Sequence, residues 1–360
     1  MTRRLGLLTA LAVAALSLPP VAQADSTWYV GSAADGCPDA QFSDLTSAVT
    51  FAQPHDTIRI CPGTYTVGPP AGTTPTAVGL QGLVIDKPLT IIGAGASKVT
   101  IEPATNLVSG ASSSDNLRDS SGNVITVTNT TPGDTSDWDV NPTISGVTIS
   151  NGGFLVDAGI EFNNATGAII DSRIEPFAFS GTPPATNGPS YGWGVVASNN
   201  YAVTPQGAFE RDVTVSANLI TDYGGGGVLI DGSESSKPIY FRSGVATTGS
   251  ITNNVITGAS DPTLVQQYGV QVNAGARAAI TGNVITGNLG ATPGTGTNPG
   301  TGVGVLLTDA DVTSTVPGSP TSFYTTVTGN DLTGNGYGIF NGTADFPAAP
   351  STDPNQSNPI

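Results

Sequence analysis

ITNNVITGA (251–259) and ITGNVITGN (280–288) repeat one pattern, which recurs as SANLITDYG (216–224) and VTGNDLTGN (327–335). A weaker copy, IIDSRIEPF (169–177), has Ser172 at the position of the shared asparagine. In each copy that position is followed by two residues and then, in most copies, by Thr-Gly. Internal repetition of this kind is the first feature that any fold assignment for the chain has to explain.

The shared asparagines Asn218, Asn254, Asn283 and Asn330 are separated by 36, 29 and 47 residues, so extra residues fall between the copies and not inside them. A fixed unit with variable connections is typical of a solenoid. A second motif alternates with the first and begins with glycine: GIEF (159–162), GVVA (194–197), GVLI (227–230), GVQV (269–272), GVLL (304–307) and GIFN (338–341). Each rung therefore contains at least two strands.

These repeats predict an all-β chain folded as a right-handed parallel β-helix. We expect the asparagine to adopt the left-handed backbone conformation of a sharp bend, and its amide to bond the equivalent asparagine one rung away, about 4.8 Å along the stack. A β-sandwich or a β-propeller would have similar composition. However, no connection reads as a two-residue hairpin, and the units lack four strands and a Trp-Asp element, so the β-helix is favoured.

The two ends of the chain differ in composition from the repeats. Residues 1–24 are predicted to be a secretion signal, with Arg3 and Arg4 before an apolar stretch and Ala22-Gln23-Ala24 before the cleavage site. Residues 25–68 are predicted to form an amino-terminal cap and first rung, residues 69–345 the β-helix, and residues 346–360 a flexible tail. No later stretch is apolar enough to span a membrane, so we expect a secreted, extracellular protein.

The charge of the chain restricts its partners. The net charge is −16, and removal of Arg3 and Arg4 with the signal leaves it near −18. Such a surface repels phosphate backbones, so nucleic acid is excluded as a partner, and an anionic polysaccharide would need bridging divalent cations. Cys37 and Cys61 are predicted to form a disulfide in the oxidising extracellular compartment. His55 is the only histidine, which excludes zinc sites built on several histidines.

The first hundred residues read as a plug for the open end of a solenoid. From Phe42 to Gln53 apolar residues recur at helical spacing, and the strand-like HDTIRICPGTYTV (55–67) and LVIDKPLTIIGAGASKVTI (83–101) follow. The run FSDLTSAVTFAQPHDTIRICPGTYT (42–66), with KPLTIIGAG (87–95), resembles the start of pectate-lyase-like right-handed β-helix proteins, the pectin lyase-like superfamily. The resemblance covers residues 28–342 and implies the fold, with an amphipathic helix over the first rung. It does not imply one function, because that architecture serves lyases, hydrolases, esterases and non-enzymatic surface proteins.

In such proteins the substrate groove follows one sheet, which we identify with the glycine-initiated strands. Alternation turns Ile160 and its equivalents inward and aligns Glu161 with Val196, Leu229, Gln271, Leu306 and Phe340 on the outer face. Long connections, 176–193, 258–268 and 287–302 before these strands and 198–211, 231–248 and 309–324 after them, are expected to wall a trough. The predicted groove residues are Trp193, Val196, Tyr223, Leu229, Tyr268, Gln271, Leu306 and Phe340. An equally valid alternative is that the connections fold down and cover an apolar strip.

No family chemistry is complete on this face. A pectate lyase would need several calcium-binding carboxylates and an arginine, and polygalacturonase-like hydrolases need a histidine that this chain lacks. The cluster of Asp171, Arg173 and Glu175 is better interpreted as a solvated ion-pair cluster than as a catalytic site. If the protein is catalytic, the candidate residues are Glu161, Asp222, Asp231 and Asp309, contributed by the connections. Acidic connections of this kind are also suited to hold Ca²⁺.

Three functions follow from these observations. The first is recognition of extracellular polysaccharide along the walled groove, with catalysis not evident, since aromatic rings and carboxylates suit sugar faces and hydroxyls. The second is a polysaccharide lyase or glycoside hydrolase that uses the four carboxylates. The third is a structural or adhesive surface protein whose apolar floor is a protein interface.

Overall fold

The computed structural model describes residues 25–75, 79–108, 121–129, 140–177, 192–198, 211–232, 247–259, 267–273, 275–289, 302–308 and 325–341. The predicted signal at 1–24 and tail at 346–360 lie outside these residues. The short helices are the 3₁₀ turn Ala33–Asp35 and helix α1, Leu45–Phe51. The first twelve strands are β1 Thr27–Val30, β2 Thr57–Ile60, β3 Gly63–Val67, β4 Leu83–Ile85, β5 Thr90–Gly93, β6 Val99–Pro103, β7 Asn123–Thr128, β8 Thr143–Ser145, β9 Thr148–Ile149, β10 Ala158–Asn163, β11 Gly167–Ile170 and β12 Arg173–Ile174. The next twelve are β13 Trp193–Ser198, β14 Arg211–Ser216, β15 Leu219–Thr221, β16 Gly226–Asp231, β17 Thr247–Thr252, β18 Val255–Thr257, β19 Gln267–Asn273, β20 Arg277–Thr281, β21 Val284–Thr286, β22 Gly302–Thr308, β23 Thr326–Thr328 and β24 Tyr337–Asn341.

The strands form three sheets, and every listed strand pairing within them is parallel. Sheet 1 runs β1-β2-β5-β8-β11-β14-β17-β20-β23, sheet 2 runs β4-β7-β10-β13-β16-β19-β22-β24, and sheet 3 runs β3-β6-β9-β12-β15-β18-β21. Each strand pairs with strands three places away or nearly so in the chain, because the chain visits each sheet once per turn before it returns one rung further along. The chain is therefore a parallel β-helix.

The core lies inside the coil and consists of aliphatic columns, one from each sheet. Strand register stacks Ile251 on Ile280 in sheet 1, Ile256 on Ile285 in sheet 3, and Val270 on Val305 in sheet 2. All six side chains are fully buried in one continuous cluster. Burial of one such side chain contributes about 1.5–3 kcal/mol, so the stacked columns supply the main stabilisation of each rung.

The bend between sheets 1 and 3 is held by an asparagine ladder. Asn254 accepts hydrogen bonds at Oδ1 from the backbone N of Asn218 (2.9 Å) and from its Nδ2 (3.1 Å). Asn283 accepts in the same way from Asn254, and Asn330 from Asn283, at 2.9 Å throughout. Each amide also donates to a backbone carbonyl within the coil, as Asn254 does to Val215 O at 2.9 Å. The ladder fixes the bend at the same place in every rung.

The prediction that the ladder asparagine itself adopts the left-handed conformation is wrong. That conformation belongs to the residue before it: Asp171 (φ 48°), Ala217 (φ 56°), Asn253 (φ 56°), Gly282 (φ 69°) and Gly329 (φ 64°). The physical reason is a division of labour between neighbours. The exposed residue turns the chain, and the asparagine that follows directs its amide into the coil, where backbone carbonyls need donors.

A second polar ladder lies inside the coil where sheet 3 connects to sheet 2. Asn335 Oδ1 accepts from Asn288 N (3.1 Å) and Nδ2 (2.9 Å), and Asn288 Oδ1 accepts from the Tyr223 hydroxyl (2.7 Å). Tyr223 is completely buried in the main core, and this burial raises the pKa of its hydroxyl. The prediction that Tyr223 lies on the rim of a groove is therefore wrong. Its ring fills the same corner as Phe177, with which it forms a parallel bridge.

Glycine opens the strands of sheet 2 because the backbone of the next rung lies against it. A Cβ atom on Gly227 would lie 2.6 Å from Gly269 O, and one on Gly269 would lie 2.6 Å from Gly304 O. The same Cβ on Gly269 would lie 2.2 Å from Ile285 Cγ2, so this glycine faces the interior. The following residue, Val270, is also in the core. Two successive inward residues are the reason why outward side chains in sheet 2 are three positions apart at this point.

The amino-terminal part joins the same core. Asp44 starts α1 by accepting from Ser47 N at 2.8 Å, and Leu45, Ala48 and Val49 pack into the main cluster. The helix begins later than the predicted start at Phe42 because Asp44 supplies the capping oxygen. Cys37 and Cys61 form the predicted disulfide. No helix in the described part of the chain is long and apolar enough to cross a membrane.

Candidate functional site

The outer face of sheet 2 carries the residues that the sequence selected. Register aligns Glu161 with Val196, Leu229, Gln271, Leu306 and Phe340 in one outward row, as predicted from alternation. A second outward row, at the start of the strands, contains Asn123, Ala158, Trp193, Gly226, Tyr268, Val303 and Tyr337. A third, at their ends, contains Thr128, Asn163, Ser198, Asp231, Asn273 and Thr308.

A buried polar network occupies the first strands of this face. The carboxylate of Glu161, 1% exposed, accepts at Oε2 from Asn123 Nδ2 (2.6 Å) and at Oε1 from Asn163 Nδ2 (3.1 Å) and Ser198 Oγ (2.8 Å). Asn164 Nδ2 extends the network by donating to Asn163 Oδ1 at 2.9 Å. Burial of a carboxylate is costly unless such donors surround it. The network therefore holds Glu161 in one orientation.

An apolar cluster follows in the middle of the face. Ala158, Trp193, Val196 and Leu229 are buried together, at most 5% exposed, with Tyr268 packed beside them. The groove prediction placed Trp193 on an exposed rim and Val196 and Leu229 on an open floor, and the structure buries all three. This part of the face agrees with the alternative of a covered apolar strip.

The last strands of the face are more open. Tyr268, Gln271, Leu306, Tyr337 and Phe340 are all partly exposed and lie on three adjacent strands, β19, β22 and β24. The rings of Tyr337 and Phe340 make an edge contact, with centroids 6.3 Å apart and an interplanar angle of 75°. We name these five residues the aromatic platform. The sequence identified four of them through the predicted groove, and it missed Tyr337 because the weak last repeat hid its register.

The four candidate carboxylates occupy different places. Glu161 lies in β10 and Asp231 ends β16, so the prediction that the connections contribute them is wrong. Both are buried, at 1% and 4% exposure. Asp222 is exposed in the turn after β15, has a left-handed backbone (φ 54°) and does not face sheet 2. Asp309 lies outside the described residues, as do most of the predicted walls of the trough.

Glu161 and Asp231 are separated by a single strand. Ser198 lies between them, because its hydroxyl donates to Glu161 and its backbone pairs in register with Asp231. Neighbouring strands are about 4.8 Å apart, so the two carboxyl groups share one region of the outer face. The sequence missed Asn123, Asn163 and Ser198. Alignment of NVITVT (123–128) with the later strands was the available signal, but that strand lacks the opening glycine.

Two other acidic features lie elsewhere. Arg173 Nη1 and Glu175 Oε1 form an ion pair at 3.1 Å on the outer face of sheet 3, with both side chains partly exposed, as the interpretation of a solvated pair predicted. Thr221 Oγ1 also donates to Glu175 Oε2 at 2.7 Å. Among the described residues there is no group of three or more His, Cys, Asp or Glu side chains that could hold a metal ion. The idea that acidic connections hold Ca²⁺ stays a prediction, since those connections lie largely outside the described residues.

Comparison with known proteins gives little beyond the fold. No protein-family model matches the chain, and no curated protein matches it. Among solved structures the chain is similar to tailspike protein 3 of bacteriophage CBA120, with 12% sequence identity and a TM-score of 0.23. The match covers 76% of this chain and 45% of the tailspike chain. This chain thus spans less than half of that protein, and the function proposed below is argued from the described residues alone.

Proposed function

We propose that this protein is a secreted right-handed parallel β-helix that recognises extracellular polysaccharide along the outer face of sheet 2. The observation that supports this proposal is the aromatic platform, with rings, an amide and an aliphatic side chain on three adjacent strands. Aromatic faces stack on the C–H faces of sugar rings, and amides bond their hydroxyls. A side chain recurs about every 4.8 Å along the stack, which suits a ligand that is itself a linear polymer.

The proposal includes the finer points predicted from the sequence. Residues 1–24 direct export and are removed, α1 covers the first rung, and the connections flanking sheet 2 wall the groove. Export agrees with the Cys37–Cys61 disulfide, because such bonds persist in oxidising compartments. The strongly acidic surface favours neutral or cationic polymers over acidic ones.

The test is binding of the purified mature chain to a panel of neutral, acidic and amine-bearing polysaccharides. Tyr268→Ala and Phe340→Ala are each expected to weaken binding about tenfold, the loss typical of one sugar-stacking ring. Tyr29→Ala is the matched control, because Tyr29 is 36% exposed on β1, in sheet 1. Equal binding by all three variants would remove the platform from the proposal, and failure to bind any polysaccharide would end it.

A second candidate, a glycoside hydrolase, is favoured by one observation: Glu161 and Asp231 flank Ser198 on the same face. Two carboxyl groups on either side of a glycosidic bond, one as acid and the other as base or nucleophile, are the general requirement for its hydrolysis. Release of reducing ends that disappears in both Glu161→Gln and Asp231→Asn would establish this function. Unsaturated products would indicate a lyase instead, and Asp222→Asn serves as the control for a carboxylate outside the site.

A further inference from the structure

Three amide oxygens on or beside sheet 2 lack hydrogen-bond donors although they are buried. They belong to Asn123, Asn164 and Asn273, and no described residue donates to their Oδ1 atoms. Asn123 is 0% and Asn164 6% exposed as whole residues. A buried acceptor without a donor costs about 1–3 kcal/mol, so each of these oxygens marks a position where a donor is missing.

The orientation of Asn123 and Asn164 is fixed by bonds that use their other amide atom. Asn123 Nδ2 donates to Glu161 and Asn164 Nδ2 donates to Asn163. Rotating either amide by half a turn would point an oxygen at an acceptor and lose that bond. The unbonded oxygens are therefore a consequence of the network around Glu161 and cannot be removed by exchanging O and N.

The acceptors form a continuous strip across the face. The strip consists of Asn123, Glu161, Asn163, Asn164, Ser198, Asp231 and Asn273, and we name it the acceptor strip. It contains two carboxylates, and the eight strands of sheet 2 contain no Lys, Arg or His. A ligand that completes these contacts has to supply hydrogen-bond donors and, to balance the carboxylates, positive charge.

We infer that the acceptor strip recognises protonated primary amines of a glycan, that is, an amino-sugar polymer or a chain that carries such units. An ammonium group brings three donors and one positive charge in the volume of a hydroxyl. The net charge of −16 for the whole chain adds long-range attraction for such a polycation. This inference rests on the proposed function and narrows its ligand to one chemical class.

The strip and the aromatic platform are adjacent, which gives a ligand one path along the face. Asp231 pairs in register with Asn273, and Asn273 lies two residues after Gln271 on β19. Asn273 is partly exposed, whereas Asn123 and Glu161 are fully buried. Amines therefore reach Asp231 and Asn273 first, from the platform side, and the Glu161 end completes the contact deeper in the face.

The test compares two short oligomers with the same β-1,4-linked backbone, one of glucosamine and one of N-acetylglucosamine. Acetylation removes the charge and two of the three donors and leaves the ring faces unchanged. At a pH where the amines are protonated and about 0.15 M salt, where long-range attraction is screened beyond about 8 Å, the glucosamine oligomer is expected to bind at least tenfold more tightly. Titration calorimetry measures both affinities.

Asp231→Asn and Glu161→Gln are each expected to reduce that preference about tenfold, and thermal unfolding checks that both variants fold. Asp171→Asn is the matched control, because it removes one exposed carboxylate from the bend between sheets 1 and 3 and should change the preference less than about twofold. If Glu161→Gln does not fold, Asp231→Asn alone decides the result.

The two proposals fail in different ways. Equal binding of the two oligomers, with loss in Tyr268→Ala, would overturn the amine inference and leave polysaccharide recognition in place. A preference for glucosamine that all variants including Asp171→Asn weaken equally would show attraction by net charge alone and would also overturn it. Absence of binding to both oligomers and to the whole polysaccharide panel would reject the proposed function itself.

Discussion

At the scale of single residues, the ladder asparagines make the most specific contribution to this fold. A single amide such as that of Asn254 takes part in four hydrogen bonds, two as acceptor and two as donor. Serine in the same place does less: Ser172 Oγ donates to Ile170 O, and the Ser172 backbone N donates to Asn218. The side-chain amide joins two rungs, which a hydroxyl is too short to do.

Replacement of Asn254 by alanine should therefore lower the free energy of unfolding by about 3 kcal/mol or more, because several buried groups lose their partners. Asn253→Gly, one residue earlier, is expected to be nearly neutral. Asn253 is exposed and has a left-handed backbone (φ 56°), which glycine adopts without strain. Chemical denaturation of the two variants measures the difference, and equal losses would contradict the role given to the ladder.

Asp56 gives a pH-dependent prediction. Burial alone raises the pKa of its carboxyl, but hydrogen bonds from Trp28 Nε1 (2.7 Å), Ser26 N (2.7 Å) and Gln53 N (2.9 Å) outweigh burial, so that pKa lies below its usual value. A lowered native pKa means that the stabilisation is present above the unfolded value of about 3.9 and is lost as pH falls through the native pKa. Asp56→Asn should cost about 1–3 kcal/mol near pH 7, and less below about pH 3.9. Melting temperatures of both proteins across this range test the prediction, and a constant difference would refute it.

At the scale of elements, the opening glycines of sheet 2 set how closely successive rungs approach. Gly269→Ala should destabilise the protein by about 3 kcal/mol or more, because its Cβ would lie 2.2 Å from Ile285 Cγ2 and 2.6 Å from Gly304 O. Gly153→Ala is the control: it also has a positive φ, of 83°, but nothing lies within 4 Å of its Cβ. The control should lose only about 1–2 kcal/mol, the cost of a left-handed alanine. Comparable losses at both sites would show that backbone strain, and not contact between rungs, explains the glycines.

Much of the element structure is predictable from the sequence, and the failures have identifiable causes. Alternation correctly separates Ile160 and its equivalents from the outward row of Glu161, because side-chain direction in a strand is a local property. The position of Tyr223 is not predictable in this way. It follows a turn, where direction depends on the corner that the ring enters, and the decisive partner, Asn288, lies 65 residues later.

The candidate site is less predictable than the fold. Alternation states which side chains leave the coil, but it does not state what lies on top of them, and so the burial of Trp193 and Val196 escaped the prediction. The network around Glu161 depends on register with Asn123, whose strand lacks the glycine motif. Hydrogen-bond partners 37 or 38 residues away, such as Ser198 and Asn123 for Glu161, are set by the number of residues in each turn of the coil.

At the scale of the whole molecule, the disulfide ties the start of the coil together. Cys37 and Cys61 are 24 residues apart, and Cys61 directly follows β2. The loop-closure model gives roughly 3–4 kcal/mol for a crosslink of this length, so the Cys37→Ser/Cys61→Ser protein should lose about that much. Unfolding of this variant, and of the native chain with and without reductant, measures the effect. A reductant that also shifts the double serine variant would show that the change does not arise from this bond.

Both asparagine ladders have a direction. Each amide donates toward the next rung in the chain and accepts from the previous one, so the dipoles point the same way along the axis. The last members, Asn330 and Asn335, donate their amide hydrogens back to the coil at Ile280 O and Ile285 O, and the described residues offer no acceptor for their backbone N–H groups. Like a column of magnets stacked north to south, the coil has two unlike ends. Its carboxyl-terminal end offers hydrogen-bond donors, and a segment that continues the stack there has to bring carbonyl oxygens.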